Sequence, residues 1–186
     1  MTGTQEFFVR FSLSRRIEHV VWFTSFIILA TTGLPQKFHN AVWAQEFILF
    51  LGGVEFVRLI HRIFATIMIG AFIYHLVTGI YLLFVKRERF YMLPGRKDMQ
   101  DVITNIKYFF GLSKKRPQYD RFNYIEKFDY WAVFWGMAIM AGSGLVLWAP
   151  TWFTRYLPGV VIPISKTAHS DEALLATGFI FTIHFF

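Results

Sequence analysis

Residues Ile63–Val85 (IFATIMIGAFIYHLVTGIYLLFV) form a 23-residue run whose only titratable side chains short of tyrosine belong to His75. At 1.5 Å of rise per residue, a helix of that length crosses a hydrocarbon layer roughly 30 Å thick. Lipid offers no hydrogen bonds to stray backbone groups, so such a run must satisfy its own amides and is expected to be helical. Three further apolar segments accompany it: Val20–Leu34, Tyr130–Pro150 and Ala173–Phe186. The last follows His169, Asp171 and Glu172, counts 19 residues from Ala168, and is still apolar at Phe186, so the natural chain is expected to continue. The first lies behind Arg15 and Arg16 but lacks a small-x-small cleavage pattern at Gly33-Leu34-Pro35-Gln36-Lys37, which argues against a secretory signal. The expected fold is all-α, a transmembrane four-helix bundle in one domain over 1–186, with helices at about 17–34, 56–85, 129–149 and 168–186.

Four crossings leave three connections, and their charges set the orientation. The connection over 86–128 carries 11 basic residues, and with Arg10, Arg15 and Arg16 its side of the bundle holds 14 of the 19 Lys and Arg. The positive-inside rule makes that side cytoplasmic, with the N-terminus on it. The net charge of +7 is therefore a record of topology on a chain that is 55% hydrophobic and 17% charged, and nucleic acid is not an expected partner. Membrane lipid is one, through its anionic headgroups. Within this connection, Met99, Val102, Ile103, Ile106 and Phe109 recur at helical spacing, predicting an interfacial helix over about 98–112.

The chain has no cysteine, which removes disulfides, iron–sulfur ligation and covalent c-type haem. Its chemistry must rest on the six histidines at 19, 39, 61, 75, 169 and 184. Five lie in or at the rims of apolar segments, where ionisable groups are costly; His39 sits in a polar loop and is read as solvent-exposed. From His61 to His75 is roughly 21 Å along a helix and about 40° short of four turns. His169 and His184 are separated by one residue more, again one near each surface. On two parallel helices, His61 can face His169 at the outer level and His184 can face His75 at the inner level. Two imidazoles on opposite sides of a flat ring are what a six-coordinate b-type haem requires. Two such pairs make two b-type haems, with haem iron held at two depths. Gly33, Gly70, Gly79, Gly136, Gly142 and Gly144 offer close helix approach. These spacings spread ligands across the bilayer rather than converging them as zinc requires. A haem-free membrane anchor, with histidines that only hydrogen-bond between helices, is one alternative. A proton-coupled transporter is the other, and it predicts broken helices and internal repeats that the sequence does not display.

Several motifs stand in order along the chain: Arg16-x-x-His19 before the first apolar run, then Thr32-Gly33, then Arg121-Phe122-Asn123-Tyr124-Ile125-Glu126-Lys127, then Trp148-Ala149-Pro150-x-x-Phe153-x-x-Tyr156-x-Pro158. With them the chain resembles the membrane b-type cytochrome (gamma) subunits of respiratory formate dehydrogenases and their relatives in nickel–iron hydrogenases. That resemblance implies an outer haem on His61 and His169 and an inner haem on His19 and His184. His75 is a departure from the pattern; it stands as an alternative inner ligand, matching a second-helix position used in quinol–cytochrome c reductases, or as part of a quinone pocket. The resemblance also places a quinone beside the inner haem at Asn123. Glu126 is read either as the group exchanging the quinol proton with cytoplasmic water or as an interfacial carboxylate paired with Lys127, and Asp129 is a weaker candidate. Arg58, Arg62 and Lys166 near the outer haem, and Arg15 or Arg16 near the inner one, are read as partners of haem propionates or of lipid phosphate. The expected function is electron transfer between an extracytoplasmic iron–sulfur or multihaem cytochrome subunit and the quinone pool, in a bacterial or archaeal cytoplasmic membrane. No site for a primary substrate is visible, so the chain is expected to be a subunit and not a complete enzyme.

Overall fold

The computed structural model describes residues 12–184. Arg10 and the last two phenylalanines of the fourth apolar segment lie outside them. The chain is all-α, with seven α-helices among the described residues. Two compact units divide it, one reaching to Thr78 and the other starting at Gly79.

The first unit opens with α1 (Leu13–Lys37), whose N-terminus is capped by the Ser12 hydroxyl accepting from the Arg15 N–H. The short α2 (Val42–Phe50) follows, and Gly52 and Gly53, at φ of +100° and +94°, turn the chain into α3 (Val54–Ile80). A side chain is disfavoured at both turn positions, so the pair fixes where the long helix begins. The second unit contains the continuation of α3 as a π-helical turn, Tyr81–Val85, and then α4 (Arg96–Phe109). It is completed by α5 (Tyr124–Trp148), a four-residue α6 (Pro150–Phe153) and α7 (Val161–Phe179), which ends in a second π turn, Ile180–His184.

Among the described residues, three helices are long and apolar enough to cross a membrane: Leu13–Lys37, Val54–Val85 and Tyr124–Trp148. The expected fourth crossing is helical over Val161–His184, but Lys166, Asp171 and Glu172 in its first half keep it outside that group. All four helices start earlier than hydropathy alone implies, and at α1 and α5 a side-chain cap, not an apolar residue, sets the start. At α5 the Asn123 side chain accepts from the Glu126 N–H while Glu126 accepts from the Asn123 N–H, both at 2.8 Å. This capping box moves the start of α5 to Tyr124. The interfacial helix runs over 96–109 in place of the expected 98–112. Its first turn is fixed by the Gly95 N–H donating to Asp98, and its end by Gly111 at φ +71°.

Burial is inverted relative to a water-soluble bundle. On α1 the buried residues are Glu18, Ser25, Thr32 and Pro35, whereas Ile17, Val20 and Phe23 of the same helix are exposed. On α5 the buried set is Met137, Ser143 and Val146, while Trp135 and Leu145 face outward. Along α4, Met99, Ile103, Ile106 and Phe109 are exposed and Asp101 is the buried residue. Small and hydroxylic residues inside with apolar ones outside are the pattern of helices whose solvent is hydrocarbon.

Candidate functional site

Four of the six histidines share one local arrangement, which recurs in each unit. In the first unit, His61 Nδ1 lies 2.9 Å from the Thr32 hydroxyl oxygen. That hydroxyl donates its own proton to the Ile28 carbonyl at 2.6 Å, so it receives the Nδ1 proton of the ring. Further along α3, His75 Nδ1 bonds to a Glu18 carboxylate oxygen. The other Glu18 oxygen accepts from Arg15 Nη1 at 2.8 Å, and that guanidinium nitrogen also lies 2.9 Å from His75 Nδ1. The interval from Glu18 to Thr32 on α1 equals that from His61 to His75 on α3, so one helix pair makes the same contact twice, about four turns apart.

The second unit repeats it. His169 Nδ1 lies 3.1 Å from the Ser143 hydroxyl oxygen, which donates to the Ile139 carbonyl at 2.5 Å. His184 Nδ1 lies 2.5 Å from a carboxylate oxygen of Asp129. Asp129 and Ser143 stand at the same interval as Glu18 and Thr32, but His169 and His184 are one residue further apart. On an unbroken α-helix that longer interval overshoots four turns by about 60°. The π turn Ile180–His184 takes up the extra residue and brings His184 back toward the His169 face.

A carboxylate accepts only, and hydroxyls that have already given their proton to a carbonyl accept here. The Nδ1 atoms of His61, His169 and His184 therefore donate, whereas His75 Nδ1 meets both an acceptor, Glu18, and a donor, the Arg15 guanidinium. A ligating histidine is held in this way, its outer nitrogen donating to an oxygen that fixes ring orientation. Glycine supplies the second half of the seat at two of them. A Cβ on Gly33 would meet His61 Cε1 at 3.2 Å, and one on Gly144 would meet His169 Cε1 at 3.1 Å. A side chain at either position would press on the imidazole, which the hydrogen of glycine does not. Buried Asp129 Oδ1 has no hydrogen-bond partner among the described residues. A carboxylate placed so needs a positive centre nearby, and a metal ion bound to His184 would supply one. The donor set thus fits a haem held through Nε2 atoms.

The other expected residues sit elsewhere. His19 follows Glu18 on α1 and is exposed, as are Arg16 and Arg62. His39 is exposed in the α1–α2 turn, 3.2 Å from the Gln36 carbonyl. Asn123 and Glu126 are brought together, but as the cap of α5. Lys127, the partner of Glu126 in one of its two readings, donates to both oxygens of Asp98 at 2.8 Å and ties α4 to α5. Burial raises the Asp98 carboxyl, but hydrogen bonds from Lys127 and the Gly95 N–H, helped by the two lysine charges, outweigh it and hold its pKa below the usual value. Gly136 has a partner other than a histidine, since its Cβ would meet Glu172 at 3.1 Å; Gly70 lines a groove with Ile17, Glu18 and Tyr74. Thr32, Ser143 and Glu18 were not legible as partners from composition or hydropathy. The signal that could have exposed them is the interval that carboxylate–hydroxyl and histidine pairs share.

A family profile described as prokaryotic cytochrome b561 matches residues 10–186. Among curated proteins, the chain is similar to the cytochrome b556(fdo) subunit of formate dehydrogenase from Escherichia coli strain K12. The two are 21% identical over 175 residues, covering 94% of this chain and 74% of that one. The corresponding subunit from Escherichia coli O157:H7 matches to the same extent.

Proposed function

The chain belongs to the prokaryotic cytochrome b561 family, a family of membrane b-type cytochromes, and from that premise we propose that it is a di-haem subunit carrying electrons between an extracytoplasmic redox partner and the quinone pool. The observation that supports this most is the set of four histidines whose Nδ1 atoms are each engaged by an oxygen of a neighbouring helix. The outer haem is assigned to His61 and His169, and the inner one to His184 with a histidine of the first unit, His19 or His75. A bound haem iron supplies one-electron exchange between ferric and ferrous states. The chain's own contribution is orientation: Thr32 and Ser143 fix two rings, and Gly33 and Gly144 let them lie close to α1 and α5.

Arg16 and Arg62, on the rims of α1 and α3, are suited to pair with propionates at the two levels. The quinone is assigned to the inner level, near Asn123, Glu126 and His75. Asn123 and Glu126 each commit one oxygen to the α5 cap, which leaves the Asn123 amide nitrogen as the donor to a quinone oxygen. Iron–sulfur or multihaem subunits are the partner classes that hand over single electrons at the outer surface. The N-terminus is assigned to the cytoplasmic side of a prokaryotic membrane, where the basic connection also lies.

The test is a reduced-minus-oxidised absorption spectrum of the purified protein together with haem counted per chain. The reading requires b-type bands, two haems per chain and reduction of both by a quinol. Absence of b-type bands would leave a haem-free anchor, and one haem per chain would end the di-haem assignment.

A further inference from the structure

On α4 the acids and the large apolar side chains are sorted to different sides, and the sorting runs opposite to what water would select. Asp98 accepts from Lys127 at 2.8 Å, and Asp101, 9% exposed, lies 3.9 Å from Lys97. Asn105, on the same side of the helix, donates to the Tyr124 hydroxyl at 2.7 Å. These ties to α5 end on its first turn, so α4 is held at the level where a helix long and apolar enough to cross a membrane begins. That level carries aromatic rings of the kind that gather at a membrane surface: the Trp131 indole N–H donates to the Met92 carbonyl at 2.9 Å, and its ring meets Phe90, Tyr130 and Phe134. Outward, Met99, Ile103 and Ile106 stand within about 60° of one another around the helix, and the apolar surface runs on through Phe109, Phe110 and Leu112, each 77% exposed. Arg96, Lys107, Lys114 and Lys115 are exposed in the same segment, and none of them makes an ion pair among the described residues.

We propose that the outward face of α4 and the turn after it bind anionic phospholipid of the adjoining leaflet, with Phe109, Phe110 and Leu112 inserted below the headgroups and Lys107, Lys114 and Lys115 on their phosphates. The basic charge of this connection gives a general attraction to such lipid; the sorting on α4 makes it a defined surface. The two acids of α4 that would repel a phosphate are paired with lysines inside the fold. What is offered outward is apolar and positive, complementary to hydrocarbon covered by a negatively charged layer. A protein partner would meet the same apolar side chains, but α5 holds them at its own entry into lipid, where the leaflet already lies against them. The surface is built within the second unit alone and does not depend on how many haems the protein carries.

The experiment uses the full chain carrying Phe110→Cys, labelled with a polarity-sensitive fluorophore and reconstituted into vesicles of phosphatidylcholine alone or mixed with phosphatidylglycerol. In the mixed vesicles the label should emit to the blue of its position in water, be quenched by a lipid spin-labelled near its headgroup, and be shielded from aqueous acrylamide. A label at Gln118→Cys, in the loop beyond, should stay open to acrylamide. Native mass spectrometry of the unlabelled protein from mixed lipid should show phosphatidylglycerol retained over phosphatidylcholine. The triple variant Lys107→Gln/Lys114→Gln/Lys115→Gln should lower that preference by up to about fivefold per charge removed. A Phe110→Cys label open to acrylamide in both vesicles would overturn the insertion, and this readout stands even where the triple variant does not fold. A lipid preference that is absent, or unchanged in a folded triple variant, would overturn the anionic site. Energy transfer between labels on separate copies, without quenching by the spin-labelled lipid, would place a second copy on the face and overturn the lipid assignment.

Discussion

Thr32-Gly33 and Ser143-Gly144 do the same work at two places in the chain. The hydroxyl takes the Nδ1 proton of a histidine, and the next residue, having no side chain, makes room for its ring. The margin is small. At 3.2 Å a Cβ on Gly33 is already tighter than ordinary van der Waals contact with His61, and a branched side chain adds two methyl groups beyond it. On the proposed two-haem reading, Gly33→Val is expected to turn His61 away and lower the haem content from two per chain toward one. Gly70→Ala is the matched control: nothing lies within 4 Å of its Cβ. That variant should keep its haem content and gain up to ~1 kcal/mol of helix propensity. The two outcomes are separated by pyridine haemochrome assay of protein purified in parallel.

At the scale of elements, α4 shows how charge places a helix that apolar contacts do not hold. Its large apolar side chains face outward, and the Asp98–Lys127 pair, with side chains only 14% and 12% exposed, ties its first turn to α5. Asp98 also caps α4 through the Gly95 N–H at 2.6 Å. Asp98→Ala should loosen α4 by about 1–3 kcal/mol, combining a lost cap with an unpaired lysine. Faster amide hydrogen exchange confined to residues 96–109 is the expected readout. Because the folded carboxyl has its pKa below the ordinary value, its contribution is present above the unfolded pKa, near 3.9. It is lost as the pH falls through the still lower folded value. The α4 amides should therefore remain protected down to about pH 4 and lose protection below it.

The helices themselves were legible in the sequence, since an uncharged run of 23 residues has few other conformations open to it in lipid. Their ends were less so. Asn123 was singled out by the resemblance and Glu126 by its place at a membrane rim; that each also satisfies the other's backbone N–H, and so sets the start of α5, was not legible. The histidines were legible as a set because imidazole is rare in apolar segments. Their partners were not, because Glu18 reads as one more charge flanking α1, and Thr32 and Ser143 read as small residues that help helices pack. Only the fold brings them to histidines far along the chain.

For the whole molecule, the inverted burial and the distribution of basic residues make the same statement about solvent. Polar atoms are spent inside on histidines, and the outward faces of α1, α3 and α5 are left to hydrocarbon. The positive-inside argument then predicts which ends face which compartment. The absence of cysteine from these 186 residues makes this directly testable. A cysteine introduced at Lys114 should react with an impermeant maleimide only after the cytoplasmic face is opened, and one at Arg155 should react in intact cells. The reverse labelling pattern would invert the assigned orientation.

The wide turn before His184 bears on how this chain is to be aligned with others. A relative whose last two histidines stand one residue closer together can present both on one face without a π turn. An alignment that matches the two chains rigidly across this helix will set His184 one column away from its counterpart and score it as a lost ligand. A one-residue gap within the π turn Ile180–His184 would bring such a pair of histidines into register.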